Sequence, residues 1–240
     1  MIDETLSYHE ATRWTGPLPG TARMIHDAFR ARVLDPAFSC LGAHSAVGSG
    51  RYRFGLYGRL GEAAGTHRLA RDLAIFVASR RPADAVHFST FVAAFTGPLA
   101  VSEERFETLL WAQLQALHDV DSRDHDWDAS VSADPDDRRF AFSMGGRAFF
   151  VVGLHERASR LTRRFAWPTL VFNPHDQFRE LRAAGRFERI QEMIRQRERA
   201  LQGSINPMLG DFGASPEARQ YAGRAVETGW RCPFDRREDG

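Results

Sequence analysis

The stretch "FAFSMGGRAFFVVGL", residues 140–154, carries the strongest fold signal in this sequence. Two runs rich in aromatic and β-branched residues flank Gly145 and Gly146, and glycines readily adopt the positive φ angles of a tight hairpin turn. We therefore predict an antiparallel pair of strands here. A further apolar run, "PTLVFN" at 168–173, predicts another strand close by in the chain.

Upstream segments mix strand and helix signals. The run at 51–60 alternates Tyr52, Phe54 and Leu56 with the period of a strand. The run at 85–95 is rich in aromatic and β-branched residues and is typical of a central strand. Helical apolar spacing recurs in four segments, at 21–34, at 65–81, at 103–117 after Ser102 as N-cap, and at 177–201 with Gly185 as a kink. The acidic, breaker-rich residues 118–137 predict a loop.

This order of elements predicts the fold class. Hairpin strands and long helices occur without regular alternation, which favours an α+β fold in which helices cover a mainly antiparallel sheet. The predicted organisation is a single domain at 21–234, preceded by an irregular arm at 1–20 and followed by a polar tail at 235–240.

Composition limits the partners that we expect. With 32 basic and 31 acidic residues, the formal net charge of +1 gives no overall attraction to nucleic acid or to acidic membranes. The N-terminus has no signal-peptide pattern, and no run of about 18 apolar residues occurs. The only cysteines, Cys40 and Cys232, form no Cys-x-x-Cys pair, which favours a reducing compartment. These features predict a cytoplasmic protein without nucleic-acid or membrane partners.

Several common signatures of chemistry are missing, including glycine-rich phosphate loops, zinc pairs, c-type haem attachment and nucleophile elbows. Polar residues instead gather after the C-terminal strands, where loops commonly carry function. They are His155, Ser159, Arg160, Arg163, Arg164, Asn173, His175, Gln177, Asn206, Glu217, Arg219, Gln220, Tyr221 and Arg224.

Long motifs in this region carry a family resemblance. They are "FFVVGLHERASRLTRRFAWPTLVFNPHDQFRELR" at 149–182, "LQGSINPMLGDFG" at 201–213, "EARQYAGR" at 217–224 and "WRCPF" at 230–234, with "FSCLGAHSA" at 38–46 upstream. Over roughly residues 21–234 the chain resembles the YqcI/YcgG family, in particular its guanitoxin-biosynthesis haem-dependent N-hydroxylase branch. The resemblance implies haem b, dioxygen, electrons from an external reductase, and hydroxylation of a guanidine or amine nitrogen in a small, arginine-like molecule.

Three residues are candidates for the axial iron ligand. His155 comes first, because a neutral imidazole at a strand end is rigidly held and is a good haem ligand. His175 is the alternative, although it or Asp176 could simply cap the helix that follows the Asn173-Pro174 turn. Cys40 is another, because a thiolate ligand assists O–O cleavage; a structural thiol is the simpler explanation for it.

Other residues receive supporting roles under the same resemblance. The candidates for holding the haem propionates are Arg160, Arg164, Arg219 and Arg224, because guanidinium groups bind carboxylates bidentately. Glu217 or Asp211 would bind a guanidinium substrate, and Gln220 and Tyr221 would hydrogen-bond oxygen or substrate. Two other functions remain open: a non-haem metal oxygenase using His155, His175 and a carboxylate, and a non-catalytic haem binder or sensor. A homodimer is also left open.

Overall fold

The computed structural model describes residues 8–10, 20–208 and 213–236, and its centre is one six-stranded sheet. The strands are β1 (Tyr8–Glu10), β2 (Tyr52–Arg59), β3 (Thr90–Gly97), β4 (Phe142–Met144), β5 (Arg147–Leu154) and β6 (Thr169–Pro174). Their order across the sheet is β1-β2-β3-β6-β5-β4, and only β2 and β3 pair in parallel. The prediction of a mainly antiparallel sheet is confirmed.

Seven α-helices occur in the described residues. They are α1 (Gly20–Leu34), α2 (Leu41–Gly48), α3 (Ala63–Ser79), α4 (Glu103–Asp121), α5 (His175–Ala183), α6 (Phe187–Gln202) and α7 (Ala218–Tyr221). Helix α3 makes the crossover that a parallel β2–β3 pair requires. Two short 3-10 helices are formed by Pro82–Val86 and Leu161–Arg163.

The helices cover both faces of the sheet. One face packs against α3, α4 and α7 through an aromatic core that includes Phe91, Phe106 and Phe149. The opposite face packs against α1 and α2 through a smaller cluster that includes Phe29 and Phe54. Burial of such large side chains is the main favourable contribution to folding.

The hairpin and helix α4 form where local sequence signals predict them. Gly145 and Gly146 turn the hairpin with φ angles of 59° and 67°. The hydroxyl oxygen of Ser102 accepts a hydrogen bond from the backbone N–H of Arg105, at 3.2 Å, and so caps α4. Both signals depend only on neighbouring residues.

Two predictions need correction. The helix predicted at 177–201 is two helices, because Gly185 adopts a φ of 62° and ends the first one instead of bending it. The arm at 1–20 is not wholly irregular, since Tyr8–Glu10 forms strand β1 against β2. Residues 1–7 and 11–19 of that arm lie outside the described residues, as do residues 237–240 of the predicted tail.

The register of β5 against β6 determines which residues can meet. Phe149 lies opposite Pro174, and Leu154 lies opposite Thr169, so the C-terminal ends of these two strands point in opposite directions. Residues that follow β5 therefore lie at one end of this strand pair, and residues that follow β6 lie at the other end. No helix of the described residues is long and apolar enough to span a membrane.

Candidate functional site

A cavity of about 260 Å³ lies on the α1–α2 face of the sheet, with α6 forming part of its wall. Its walls are mostly apolar, as is common for small-molecule sites. The larger apolar residues that line it are Phe29, Val33, Phe38, Val47, Phe88, Phe150, Val152, Leu154, Val171, Phe178 and Ile194. The motif "FSCLGAHSA" supplies much of the wall contributed by α2.

Cys40 places a thiol on this wall at the N-cap position of α2. Burial raises the pKa of the thiol, while backbone N–H groups of Ala43 and Gly42 and the Arg163 guanidinium act in the opposite direction. Donors from a helix N-terminus and a nearby cation are the groups that stabilise a thiolate. Gly42 packs closely on the cavity wall: an added Cβ would lie 3.0 Å from the Phe88 ring, which would have to shift by a few tenths of an ångström.

Arg163 lines the same cavity and carries a buried positive charge. Its guanidinium donates hydrogen bonds to the carbonyl oxygens of Gly153, Gln220 and Tyr221, each at 3.2 Å. Burial lowers the pKa of Arg163 to about 10, and within the described part of the chain the guanidinium forms no ion pair with a carboxylate. The Glu198 carboxylate, on the wall of the same cavity, acts on Arg163 through its charge without forming a salt-bridge contact.

Glu198 is the only carboxylate among the described residues that line the cavity, and it is already paired. Arg160 Nη2 lies 2.7 Å from Glu198 Oε1, and both side chains are buried. The Arg160 guanidinium also donates hydrogen bonds to the hydroxyl oxygen and the carbonyl oxygen of Ser204. In this structure the ion pair fastens α6 to the chain before the Leu161–Arg163 turn, and the role of Arg160 at a haem propionate stays a prediction.

Two amide side chains line the cavity with fixed orientation. Asn173 Nδ2 donates to the carbonyl oxygens of Phe150 and Val171, at 3.2 and 3.4 Å, so its Oδ1 is turned away from them. Gln177 Oε1 accepts the backbone N–H of Ser89 at 2.9 Å, which leaves its Nε2 as the free end of the amide. Of these two amides, Asn173 therefore has a free acceptor and Gln177 a free donor at the cavity wall.

His155 lies away from the cavity. Leu154 faces the cavity, and side chains alternate along a strand, so His155 projects to the other face of the sheet. There its ring stacks on Phe106 of α4, with centroids 4.3 Å apart. Neither ring nitrogen has a hydrogen-bond partner within the described residues, and only 2% of His155 is exposed.

This environment gives His155 a testable effect on stability. Burial lowers its pKa from 6.5 to about 4, so below pH 6.5 the unfolded chain binds protons that the folded chain does not. Stability should be full above pH 6.5 and should fall between pH 6.5 and about 4, by on the order of 3 kcal/mol. In urea unfolding across this range, His155→Leu should lose that dependence.

The exposed His67 offers the matched control, because His67→Gln should keep the pH dependence of the unmodified chain. Equal slopes in the His155→Leu variant and the unmodified chain would show that another group is responsible.

His175 lies at the far end of the β5–β6 pair from His155. In the register of this pair His175 lies seven residue steps from His155, which at about 3.3 Å per residue is roughly 23 Å. His175 Nε2 lies 2.9 Å from Glu217 Oε2 in a buried pair that ties α5 to the C-terminal segment. This geometry separates the two histidines proposed for a non-haem metal triad, and the described residues contain no cluster of three or more His, Cys, Asp or Glu side chains suited to a metal ion.

The residues predicted to act on oxygen or substrate have structural contacts. The Tyr221 hydroxyl accepts the N–H of Phe142 and donates to the carbonyl of Phe149, so it bridges β4 and β5. Burial raises the pKa of the Tyr221 phenol well above its usual value. Glu217, Gln220 and Tyr221 do not line the cavity, and Asp211 lies outside the described residues.

The remaining predicted propionate ligands also lie elsewhere. Arg164 donates to the Ala158 carbonyl at 2.7 Å, and Arg219 donates to the carbonyls of Trp230 and Glu227. Arg224 pairs with Glu107 at 2.8 Å on the α4 face. The structure therefore brings together Cys40, Arg163, Asn173, Gln177, Glu198 and Asn206, a set that only partly overlaps the predicted one.

Glu198 has a sequence signal that the motif analysis missed. It follows Ile190 and Ile194 at four-residue intervals and so stands on the face of α6 that carries these apolar residues. A carboxylate in that position has to be paired or at the edge of a site. Arg163 has no comparable signal, because it is one of several arginines in "SRLTRR".

Taken together, these features define an α+β protein with a mostly apolar cavity between the sheet and the helices of one face. The chain belongs to the YqcI/YcgG family, whose characteristic sequence pattern matches residues 29–235. It is 30% identical over 137 residues to "Uncharacterized protein YqcI" of Bacillus subtilis (strain 168), which covers 55% of this chain and 53% of that protein. The chain thus spans about half the length of this curated relative, and no solved structure matches it.

Proposed function

We propose that this chain is a cytoplasmic haem-dependent monooxygenase that hydroxylates a guanidine or amine nitrogen of a small molecule. The observation that carries the proposal is a cysteine thiol at a helix N-terminus inside an apolar cavity, beside a guanidinium that has no carboxylate partner. The resemblance to the N-hydroxylase branch of the family agrees with this chemistry. The soft sulfur ligand, the apolar walls and the cation match a haem in kind. The cavity of about 260 Å³ is smaller than the roughly 300–1,000 Å³ of sites for drug-sized ligands, so haem binding requires the helices on this face to move outward.

Cys40 is the residue that we propose as the iron ligand. The thiol faces the cavity, whereas His155 stacks on Phe106 on the other face and His175 pairs with Glu217. Arg163 would hold an anionic group such as a propionate or the ligand sulfur through its charge. Haem, when bound, supplies the activation of dioxygen, and a cysteine ligand favours O–O cleavage.

The chain itself contributes binding, orientation and exclusion of water. Phe29, Phe38 and Phe150 contribute to the apolar walls, and Asn173 and Gln177 offer polar contacts to a substrate. In the overall reaction one oxygen atom of dioxygen enters the N–H bond. The other oxygen leaves as water, formed with two electrons from an external reductase and two protons.

The test begins with chain produced in cells supplied with a haem precursor. We expect a Soret band and stoichiometric, acid-extractable haem, because the chain has no Cys-x-x-Cys-His attachment site. Arginine, agmatine and simple guanidines are then incubated with the loaded protein, reductase and oxygen, and N-hydroxylated products are sought by mass spectrometry. Folded protein without a Soret band would refute the proposal, and haem without any product would leave a non-catalytic haem binder.

A further inference from the structure

We propose that the cavity binds its nitrogen substrate in the uncharged form, with Asn173 and Gln177 as the residues that select it. In this arrangement Asn173 Oδ1 accepts a substrate N–H, and Gln177 Nε2 donates to the unprotonated substrate nitrogen. The inference rests on the proposed function for the identity of the ligand. In it the two amides take the place of Glu217 or Asp211, the carboxylates that the family resemblance assigns to a guanidinium substrate.

The charges at the cavity wall oppose a cationic ligand. Glu198, the one lining carboxylate among the described residues, is in contact with Arg160 at 2.7 Å and also acts through its charge on Arg163, so a single carboxylate serves two guanidinium groups. Burying a further cation there would leave its charge without a counter-ion, which is strongly unfavourable. In the haem-loaded protein, a propionate held by Arg163 would be paired in the same way as Glu198, and a Cys40 sulfur bound to iron would offer no free negative charge.

The amide pair matches a neutral guanidine or amidine group. Such a group has N–H donors and also one nitrogen with a lone pair, whereas a guanidinium ion has donors only. The Asn173 amide is held by the carbonyls of Phe150 and Val171, and the Gln177 amide is held by Ser89 N–H, so neither can rotate without losing a bond. One fixed acceptor and one fixed donor therefore select against the protonated form.

This selection also suits the reaction. The new N–O bond forms at a nitrogen that keeps its lone pair, and protonation removes that lone pair. A weakly basic substrate, such as an acylated or otherwise electron-poor guanidine, reaches the uncharged form at small cost. We therefore assign the substrate class as weakly basic guanidines and amidines.

The test compares two probes of similar size, acetylguanidine and ethylguanidine, of which the acylated compound is the weaker base. Isothermal titration at neutral pH should show that acetylguanidine binds at least about tenfold more tightly. The ethylguanidinium cation would be buried without a charge-assisted hydrogen bond, and the loss of one such bond weakens binding by at least this factor. The titrations use both haem-loaded and haem-free chain. A missing Soret band would then count against the proposed function, while the haem-free titration would still decide the present inference.

Two variants and a control make the result specific. Asn173→Asp adds a carboxylate at the acceptor, and Gln177→Glu keeps the acceptor for Ser89 N–H but removes the donor; each should lower the preference for acetylguanidine about tenfold or reverse it. Gln196→Glu, on the exposed surface of α6, adds the same charge and should leave the preference unchanged. Equal or tighter binding of ethylguanidine by the unmodified chain, binding of neither probe, or an unchanged preference in both cavity variants would overturn the inference.

Discussion

Cys40→Ala is expected to bind haem at least about tenfold more weakly than the unmodified chain and to lose the spectrum of a thiolate-ligated haem. Loss of a residue that only hydrogen-bonds to a metal ligand already lowers metal affinity by about 10–100-fold, and Cys40 is proposed as a direct ligand. In the unmodified protein the ferrous–CO complex should show the red-shifted Soret band characteristic of cysteine ligation. That band should be absent from the variant, while thermal unfolding should change little because the alanine occupies a cavity wall.

Cys232→Ala is the matched control, because Cys232 is the other cysteine of the chain and packs with the core on the opposite face. Burial raises its pKa to about 12, so it is an inert thiol. The control variant should keep the spectrum and the haem content of the unmodified protein.

Variants of the two candidate histidines show whether a histidine, and not Cys40, is the iron ligand. His155→Ala and His175→Ala should both retain the thiolate spectrum, because neither imidazole faces the cavity. A Cys40→Ala protein with an unchanged axial spectrum, together with loss of haem in His155→Ala, would transfer the ligand role to His155 as the strand-end prediction has it.

Glu198→Ala is expected to reduce the free energy of unfolding by about 3–5 kcal/mol, measured by urea unfolding at neutral pH. The substitution leaves the Arg160 guanidinium buried without its counter-ion, and Arg160 Nε already has no hydrogen-bond partner among the described residues. It also removes the acceptor for the backbone N–H of Asn206. A loss below about 1 kcal/mol would mean that the pair is solvated rather than buried.

Two comparisons separate the buried charge from a general effect on α6. Glu192→Ala removes an exposed carboxylate of the same helix, 3.8 Å from Arg199, and should change stability by about 0.5 kcal/mol or less. Replacing both partners, Arg160→Met with Glu198→Leu, should recover much of the lost stability because no unpaired charge remains.

The features that the sequence predicts correctly are those set by neighbouring residues. The Gly145-Gly146 turn depends on backbone conformations that glycine adopts easily, and the start of α4 depends on a Ser102 hydroxyl three residues from its donor. The sequence does not predict the edge strand Tyr8–Glu10, because it pairs with β2 through backbone groups alone. Any extended segment can make such bonds, so no particular residue type marks the strand.

The candidate site shows the opposite situation, since its members come from distant parts of the chain. The sequence predicts that the polar residues after the C-terminal strands lie close together. Because β5 and β6 are antiparallel, His155 and His175 instead lie at opposite ends of this strand pair. Strand alternation then turned His155 away from the cavity and onto Phe106. Arg160 likewise contacts Glu198, which lies 38 residues later in the chain.

By itself, the sequence determines the elements of this protein, the α+β class and the family motifs, because periodicity, caps and turns are local properties of the chain. Only the tertiary structure decides that Cys40 shares a cavity with Arg163, Asn173 and Gln177, and that the one carboxylate there is already paired. The reason is physical: strand direction, side-chain alternation and charge pairing depend on which segments pack together. Those contacts form between residues that no local pattern relates.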